Sequence, residues 1–398
     1  MSLENQKAPA AKVFVLCTTR SGSTLLRYII DTHPRICCPP ELRLGPTADT
    51  LYWSTLYSVA QVRSPHEDER HRIAVSEVRR VLDDLMCSYA QLKQKEFWCE
   101  KTPRNLAHLK LLNEVFPDAH FICLYRNCMD MVHSVVEGNR FGKMGELWDY
   151  NRIFEIWIEE TSSILKFEGE NPGRCFRVKY EEMVLDAPRV LSGLFGFLGF
   201  EWDEKLINQV FSVPHDVGAG DPKVAFSSRI YQHSIGKGSA IKLETVPRPL
   251  LSKINALLRE LDYPEIGPNW NNEPSPYLPA GVSAGSGGQL SHINEVFTDY
   301  FPRRLGKHEE TLSRLNGTLK IVVKGEDSGV WKLDFNQKPA RVSAEDGGAD
   351  CTITVASSDL LKIANRELNA GECFLQARLR VAGDELLAYK LGQILFGA

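Results

Sequence analysis

The sequence predicts two domains of different class: an α/β domain built on a parallel sheet flanked by helices, then a smaller α+β domain. Three observations predict it. Upstream, apolar runs of strand length alternate with amphipathic stretches of helix length, the pattern of a parallel sheet covered on both faces. Residues 267–291 hold nine Gly or Pro in 25, against 50 in the 398 residues of the chain, which marks a flexible linker. Downstream the apolar period changes to two, with helices before and after, which reads as an α+β module. The boundaries so read are 1–266, 267–291 and 292–398.

The elements follow in order. Lys12 to Cys17 is an uninterrupted apolar run that suits a strand buried on both faces, and Thr24 to His33 repeats Leu and Ile at helical spacing. Ser76 to Lys95 carries the same period over a longer helix, whereas the charge-rich stretch Ser64 to Arg72 reads as an exposed loop or lid. Ala119 to Leu124 is again strand-like and leads into a helix over Asn127 to Glu137. Trp148 to Phe167 is expected as helix, Arg174 to Lys179 as strand and Ala187 to Phe197 as helix. In the second domain Ile293 to Phe301 is expected to be helical, and Leu319 to Lys324, Val330 to Phe335 and Cys351 to Val355 alternate as strands. Asp359 to Asn365 reads as a short helix, Leu375 to Val381 as a further strand of an antiparallel sheet, and Glu385 to Phe396 as a closing amphipathic helix.

Composition excludes several classes. With 43% hydrophobic and 25% charged residues the chain is neither disordered nor a coiled coil, and its apolar runs fall far short of the roughly 18 residues of a membrane span. Net charge is −4 with no basic arm, so nucleic acid is not an expected partner. Met1 to Lys12 lacks the apolar core of a secretory signal, which gives a cytoplasmic expectation. The ten cysteines form no C-x-x-C pair and no histidine stands at ligand spacing, so they read as buried reduced thiols and no metal site is expected.

The chemistry lies where the first strand meets the first helix. Cys17-Thr18-Thr19-Arg20-Ser21-Gly22-Ser23-Thr24 is a turn of small residues whose backbone N–H groups and following helix N-terminus can converge on an anion. The same residues would also serve an ordinary helix start, with Ser23 or Thr24 as the cap. A Walker loop would place Gly-Lys-Ser/Thr after four residues; here Arg20 precedes the glycine and no lysine follows, which speaks against magnesium-dependent NTP chemistry. A second basic site follows the later strand: Arg126, with Ser134 eight residues on and so two turns along the next helix. Parallel strands put both sites at one sheet edge, where ligands of such sheets bind.

This pair of strings resembles the two signatures of sulfotransferases that use 3'-phosphoadenosine 5'-phosphosulfate (PAPS), over about Lys12 to Pro264. The resemblance implies a P-loop-like sulfotransferase fold in which Arg20, Ser21, Gly22, Ser23 and Thr24 hold the 5'-phosphosulfate and Arg126 and Ser134 the 3'-phosphate. It implies further that Ser234-Ile235-Gly236-Lys237-Gly238 is the loop that closes over the 3'-phosphate, with Lys237 as a second cation, and that Val178 to Glu182 is the adenine-side motif, with Tyr180. Both short strings also have plain readings, as a turn and as core. Glu100-Lys101-Thr102-Pro103 resembles the family's Lys-Thr element, whose lysine contacts the bridging oxygen and the transferring group. Pro103 stands where the small-molecule branch has its histidine base, so the base must come from elsewhere. Glu41, after Cys37-Cys38-Pro39-Pro40, resembles the glutamate of the branch that uses a carboxylate; His108 is the competing candidate, and His33 sits at a helix end.

Downstream, Gly317 to Val323, Gly329 to Phe335, Ala349 to Val355 and the segments from Ser358 to the final helix resemble sterol carrier protein 2-like (SCP2) domains, over about residues 292–398. That implies an apolar tunnel for a lipid-like ligand and no catalytic residue; the alternating apolar residues are equally the expected core. The combined expectation is sulfuryl transfer from PAPS, leaving 3'-phosphoadenosine 5'-phosphate, to a hydroxyl or secondarily an amine of a small lipophilic or carrier-bound acceptor, without a metal. The competing expectation is a non-catalytic lipid carrier whose first domain only binds nucleotide; Lys101 and Glu41 argue for the enzyme, since a binder needs neither.

Overall fold

The computed structural model describes residues 12–140, 149–216, 218, 224, 230, 232, 234–270, 290, 292–307, 312, 315–365 and 367–396. Contacts divide the chain into two units, Met1–Asp221 with Arg229–Pro279, and Pro222–Ser228 with Ala280–Ala398. The expected linker lies mostly outside the described residues, as does most of the N-terminal segment Met1 to Lys12.

In the first unit β1 (Lys12–Cys17), β2 (Ile36–Cys37), β3 (Phe97–Lys101), β4 (His120–Tyr125) and β5 (Cys175–Lys179) run parallel in the order β2-β3-β1-β4-β5. Val13 to Cys17 of the central strand are all buried, as an uninterrupted apolar run requires when helices cover both faces. Phe14 lies edge-on to Trp98 at 5.5 Å and stacks on Phe121 at 5.8 Å. Each such fully buried ring contributes roughly 2–3 kcal/mol of burial. Register sets Val15 opposite Lys101 and Cys17 opposite Leu124, so the C-terminal ends of β1, β3 and β4 share one edge.

The longer helices among the described residues of this unit are α1 (Ser23–Thr32), α2 (Leu44–Thr55), α3 (Glu67–Leu92), α4 (Leu109–Val115), α5 (Cys128–Arg140), α6 (Tyr150–Glu170), α7 (Tyr180–Leu185), α8 (Ala187–Phe197), α9 (Lys205–Gln209) and α10 (Arg248–Glu260), with a 3-10 turn Pro103–His108 ahead of α4. α3 buries Ala74, Val78, Leu82, Met86 and Ala90, one residue per turn. One expectation is corrected here, and one element was not foreseen. Most of Ser64 to Arg72 is not a loop: α3 starts at Glu67, its first turn holds Glu67, Asp68 and Glu69, and buried Ser64 donates to Glu69 at 2.5 Å. Acidic residues read as a solvated lid thus complement the helix dipole. β3, which carries Lys101, was not anticipated, because its charged Glu100 and Lys101 break an apolar run.

The second unit has its own core. Ile293–Glu295 (α11) continues through a π-type turn, Val296–Tyr300, into α12 (Phe301–Lys307). Then come β6 (Thr318–Lys324), β7 (Gly329–Asp334), β8 (Arg341–Ser343), β9 (Cys351–Ala356), α13 (Ser357–Ala364), α14 (Ala370–Leu375), β10 (Leu379–Gly383) and α15 (Glu385–Phe396). Leu319, Ile321 and Val323 alternate into the core with Cys351, Ile353 and Val355. The sheet, ordered β10-β9-β6-β7-β8, is mixed and not antiparallel as expected: β7 and β8 fold back antiparallel in turn, and residues 344–350 then return the chain to the starting end of the sheet, so β9 pairs with β6 in parallel. Leu375 to Val381 is likewise corrected. It splits into the end of α14 and the start of β10, with Asn369 capping α14 through the Glu372 amide.

Candidate active site

The turn from β1 into α1 is shaped by two left-handed residues, Arg20 at φ 59° and Gly22 at φ 89°. This alternation curls successive amides toward one side, the geometry of an anion nest. No side chain caps α1, whose N-terminus lies at the sheet edge. Ser21 is fully buried and spends its hydroxyl on the Thr18 carbonyl at 2.8 Å, so it braces the loop from within, and Ser23 and Thr24 are buried beside it. Gly22 is required for a second reason: a Cβ there would stand 2.2 Å from Cδ2 of Tyr180.

The second cluster adjoins the first. Arg20 Nε donates to Ser134 Oγ at 3.1 Å, and Arg126 donates to the Arg20 carbonyl at 2.7 Å and to the Ser234 carbonyl at 2.9 Å. The guanidinium of Arg126 lies 4.6 Å over the ring of Tyr180, which is itself buried. Thus Arg20, Arg126, Ser134, Tyr180 and the turn at Ser234 meet at the ends of β1, β4 and β5. Asp130, which sequence reasoning missed, pins that turn to α5: its two carboxylate oxygens accept from Gly236 N at 2.8 Å and Gly238 N at 2.6 Å. Lys237 between them is exposed. Glu181, also missed, is buried and accepts from Asn127 N at 2.9 Å and Tyr263 OH at 2.6 Å, which fixes the residue after Arg126. Only the charge of these carboxylates was visible in the sequence; their amide partners lie 54 to 108 residues away.

Glu41 and Lys101 form the third part. Lys101 Nζ donates to Glu41 Oε1 at 2.6 Å, with the lysine side chain fully buried and the glutamate 19% exposed. The pair stands by the end of β1, close enough that Lys101, Glu41 and Glu160 all act on the field at Cys17, whose thiol burial pushes up to about 12. Glu160 of α6 accepts from the Thr19 amide, has one buried oxygen with no hydrogen-bond partner among the described residues, and is raised by burial to about 7. His108 is not brought to this pair; it faces Asp49 at 3.8 Å. His33 stacks on Phe195 and bonds to the Glu201 carbonyl, a structural role.

The atoms that line the cradle suit an anion. The Arg126 Nε and the Thr18 hydroxyl are buried with no hydrogen-bond partner among the described residues, beside an uncapped helix start. Two guanidinium groups and a nest of amides thus stand together at the C-terminal edge of the parallel sheet of an α/β domain, the place where such sheets take their ligands. Residues 12–204 match the sulfotransferase family, and residues 297–396 match the SCP-2 sterol transfer family. The chain thus carries a match to the sulfotransferase family upstream and a match to the SCP-2 family downstream. It is 27% identical over 203 residues to protein-tyrosine sulfotransferase 1 of Danio rerio, covering 49% of this chain and 55% of that protein. It is 28% identical over 177 residues to sterol carrier protein 2 of Rattus norvegicus, covering 44% of this chain and 29% of that protein. The chain thus spans about half or less of the length of these relatives. A solved sulfotransferase domain from the curacin biosynthetic pathway is 22% identical over 65% of this chain and 100% of its own, with a TM-score of 0.49.

The second unit contains an open cavity of about 500 Å³ lined by Phe297, Pro302, Leu305, Leu312, Pro339 and Val342. Lys338 at its edge is committed to the carbonyls of Leu312, Leu315 and Phe335 at 2.5 to 2.8 Å. No helix among the described residues is long and apolar enough to cross a membrane.

Proposed function

We propose that residues 1–266 transfer a sulfuryl group from PAPS to a hydroxyl of a lipophilic or carrier-bound acceptor, and that residues 292–398, beyond the linker, bind the lipid-like part of such a molecule. The observation that carries the reading is the buried Lys101 paired with Glu41 at 2.6 Å, beside an anion cradle. PAPS, when bound, supplies the electrophilic sulfur and the leaving phosphate. Arg20, Ser21, Gly22, Ser23 and Thr24 would hold its 5' end; Arg126, Ser134 and Lys237 its 3'-phosphate; Gly236 and Gly238, whose amides are taken by Asp130, would shape the turn that presents Lys237 rather than bind the phosphate; and Tyr180 would support Arg126 beneath it. Glu41 takes the proton of the acceptor hydroxyl at a carboxylate oxygen and retains it until the acceptor leaves. Lys101, already desolvated, needs little reorganisation to place its positive charge against developing negative charge.

Thermal shift tests the binding half: 3'-phosphoadenosine 5'-phosphate should raise the melting temperature of the first unit well above the effect of ATP or GTP at equal concentration. Transfer from labelled PAPS to a panel of lipophilic alcohols, phenols and carrier-bound hydroxyacyl chains tests the rest. Equal shifts with all three nucleotides and no labelled product would refute the reading.

A further inference from the structure

The loop that carries Glu41 is held by side chains rather than by sheet. Residues 42–45 run from the end of that loop into α2, and Arg43 takes a left-handed backbone at φ 57°. A non-glycine residue holds such a conformation only where its surroundings fix it. Three amides do so here. Leu42 N donates to Glu100 Oε1 at 3.2 Å, Arg43 N to Thr102 Oγ1 at 3.1 Å, and Gly45 N to Asn105 Oδ1 at 2.8 Å. All three acceptors come from the end of β3 and the turn after it, on either side of Lys101.

The acceptors are themselves ordered. Thr102 Oγ1 donates its one proton to Glu100 Oε1 at 2.5 Å, so the lone pair left over faces Arg43 N–H. Asn105 Nδ2 donates to Glu100 Oε2, which turns the amide oxygen toward Gly45. Glu100 is fully buried, and burial raises its carboxyl while Thr102, Asn105, Leu42 and Lys101 lower it. Approach is close: a Cβ on Gly45 would stand 3.0 Å from Asn105 Cα. The same six-residue stretch, 100–105, thus supplies the lysine that meets Glu41 and the groups that fix the backbone next to it.

We propose that Glu100, Thr102 and Asn105 are positioning residues, a hydrogen-bonded template that sets the Glu41 carboxylate against Lys101. The proposal rests on the reading of Glu41 as the base, and the test separates the two. Thr102→Val keeps the shape and removes the hydroxyl. It should lower kcat about 10- to 100-fold, the effect of one lost buried hydrogen bond and one orphaned amide, with the affinity for 3'-phosphoadenosine 5'-phosphate within about twofold. The acid limb of its pH–rate profile should shift, amide exchange at residues 42–45 should rise at least about tenfold, and Thr102→Ser should restore all of these. Wild-type kcat in T102V overturns the proposal, as does a parallel fall in kcat and nucleotide affinity. Should T102V not fold, Asn105→Ser, too short to reach Gly45, carries the same expectations. A wild-type chain that transfers no sulfuryl group refutes the role of Glu41; exchange at residues 42–45 then decides the template alone, with unchanged protection in the variant overturning it.

Discussion

Glu41 and Lys101 illustrate how much a single pair can carry. Removing a carboxylate from a buried lysine strands the cation at a cost of about 3–5 kcal/mol, so an alanine variant would confuse folding with chemistry. Glu41→Gln keeps an acceptor for Lys101 and removes the base; turnover should fall by about 10²- to 10⁴-fold while calorimetry shows desulfated nucleotide binding as before. Gly22 makes a purely steric prediction. Its φ of 89° and the ring of Tyr180 at 2.2 Å from an added Cβ leave no room for a methyl group. Gly22→Ala should destabilise the first unit by about 2 kcal/mol or more, read as a lower melting temperature, and weaken nucleotide binding with it. Glu160 gives a pH prediction. Its carboxyl lies near 7 in the fold against an ordinary 4.5, so the folded state binds the extra proton between those values. Stability is therefore full below about 4.5 and falls as pH rises to about 7, by on the order of 3 kcal/mol. Glu160→Gln should flatten the melting temperature between pH 5 and pH 8.

At the scale of elements, strands and helices with one strong period were legible because local sequence alone dictates them: β1, α8 and α15 lie within a residue or so of where the apolar pattern put them. β3 was not, because its last two residues are charged and buried, Glu100 by three hydrogen bonds and Lys101 by Glu41. Their partners are 2 to 60 residues distant, and no window along the chain contains all of them. The start of α3 was missed for the opposite reason, since its acidic first turn has the composition of a loop. The turn at Lys237–Ala240 depends on one side chain from another element. Asp130→Asn replaces one acceptor of the two glycine amides by a donor, which should orphan an amide at about 1–3 kcal/mol. Exchange at residues 236–240 should rise while exchange along β1 and β4 stays as in the wild type.

Among the described residues, the apolar core against the parallel sheet and the core around the mixed sheet share no residue. Scanning calorimetry should therefore resolve two unfolding transitions, and 3'-phosphoadenosine 5'-phosphate should move only one of them. A single transition that moves as a unit would contradict that independence. Sequence by itself determined the class of each domain and the short strings at the strand ends, because periodicity and small-residue turns act over neighbouring residues. Tertiary structure alone decided which charges face one another. It set Arg20 beside Ser134, Asp130 beneath two glycine amides, and Glu41 against a lysine 60 residues away. It also made β6 and β9 parallel partners across an intervening hairpin. The physical reason is the same throughout: a buried charge or amide is tolerated only when paired, and the pairing partner is chosen by the packing of the sheet, which brings together strand ends that the chain keeps apart.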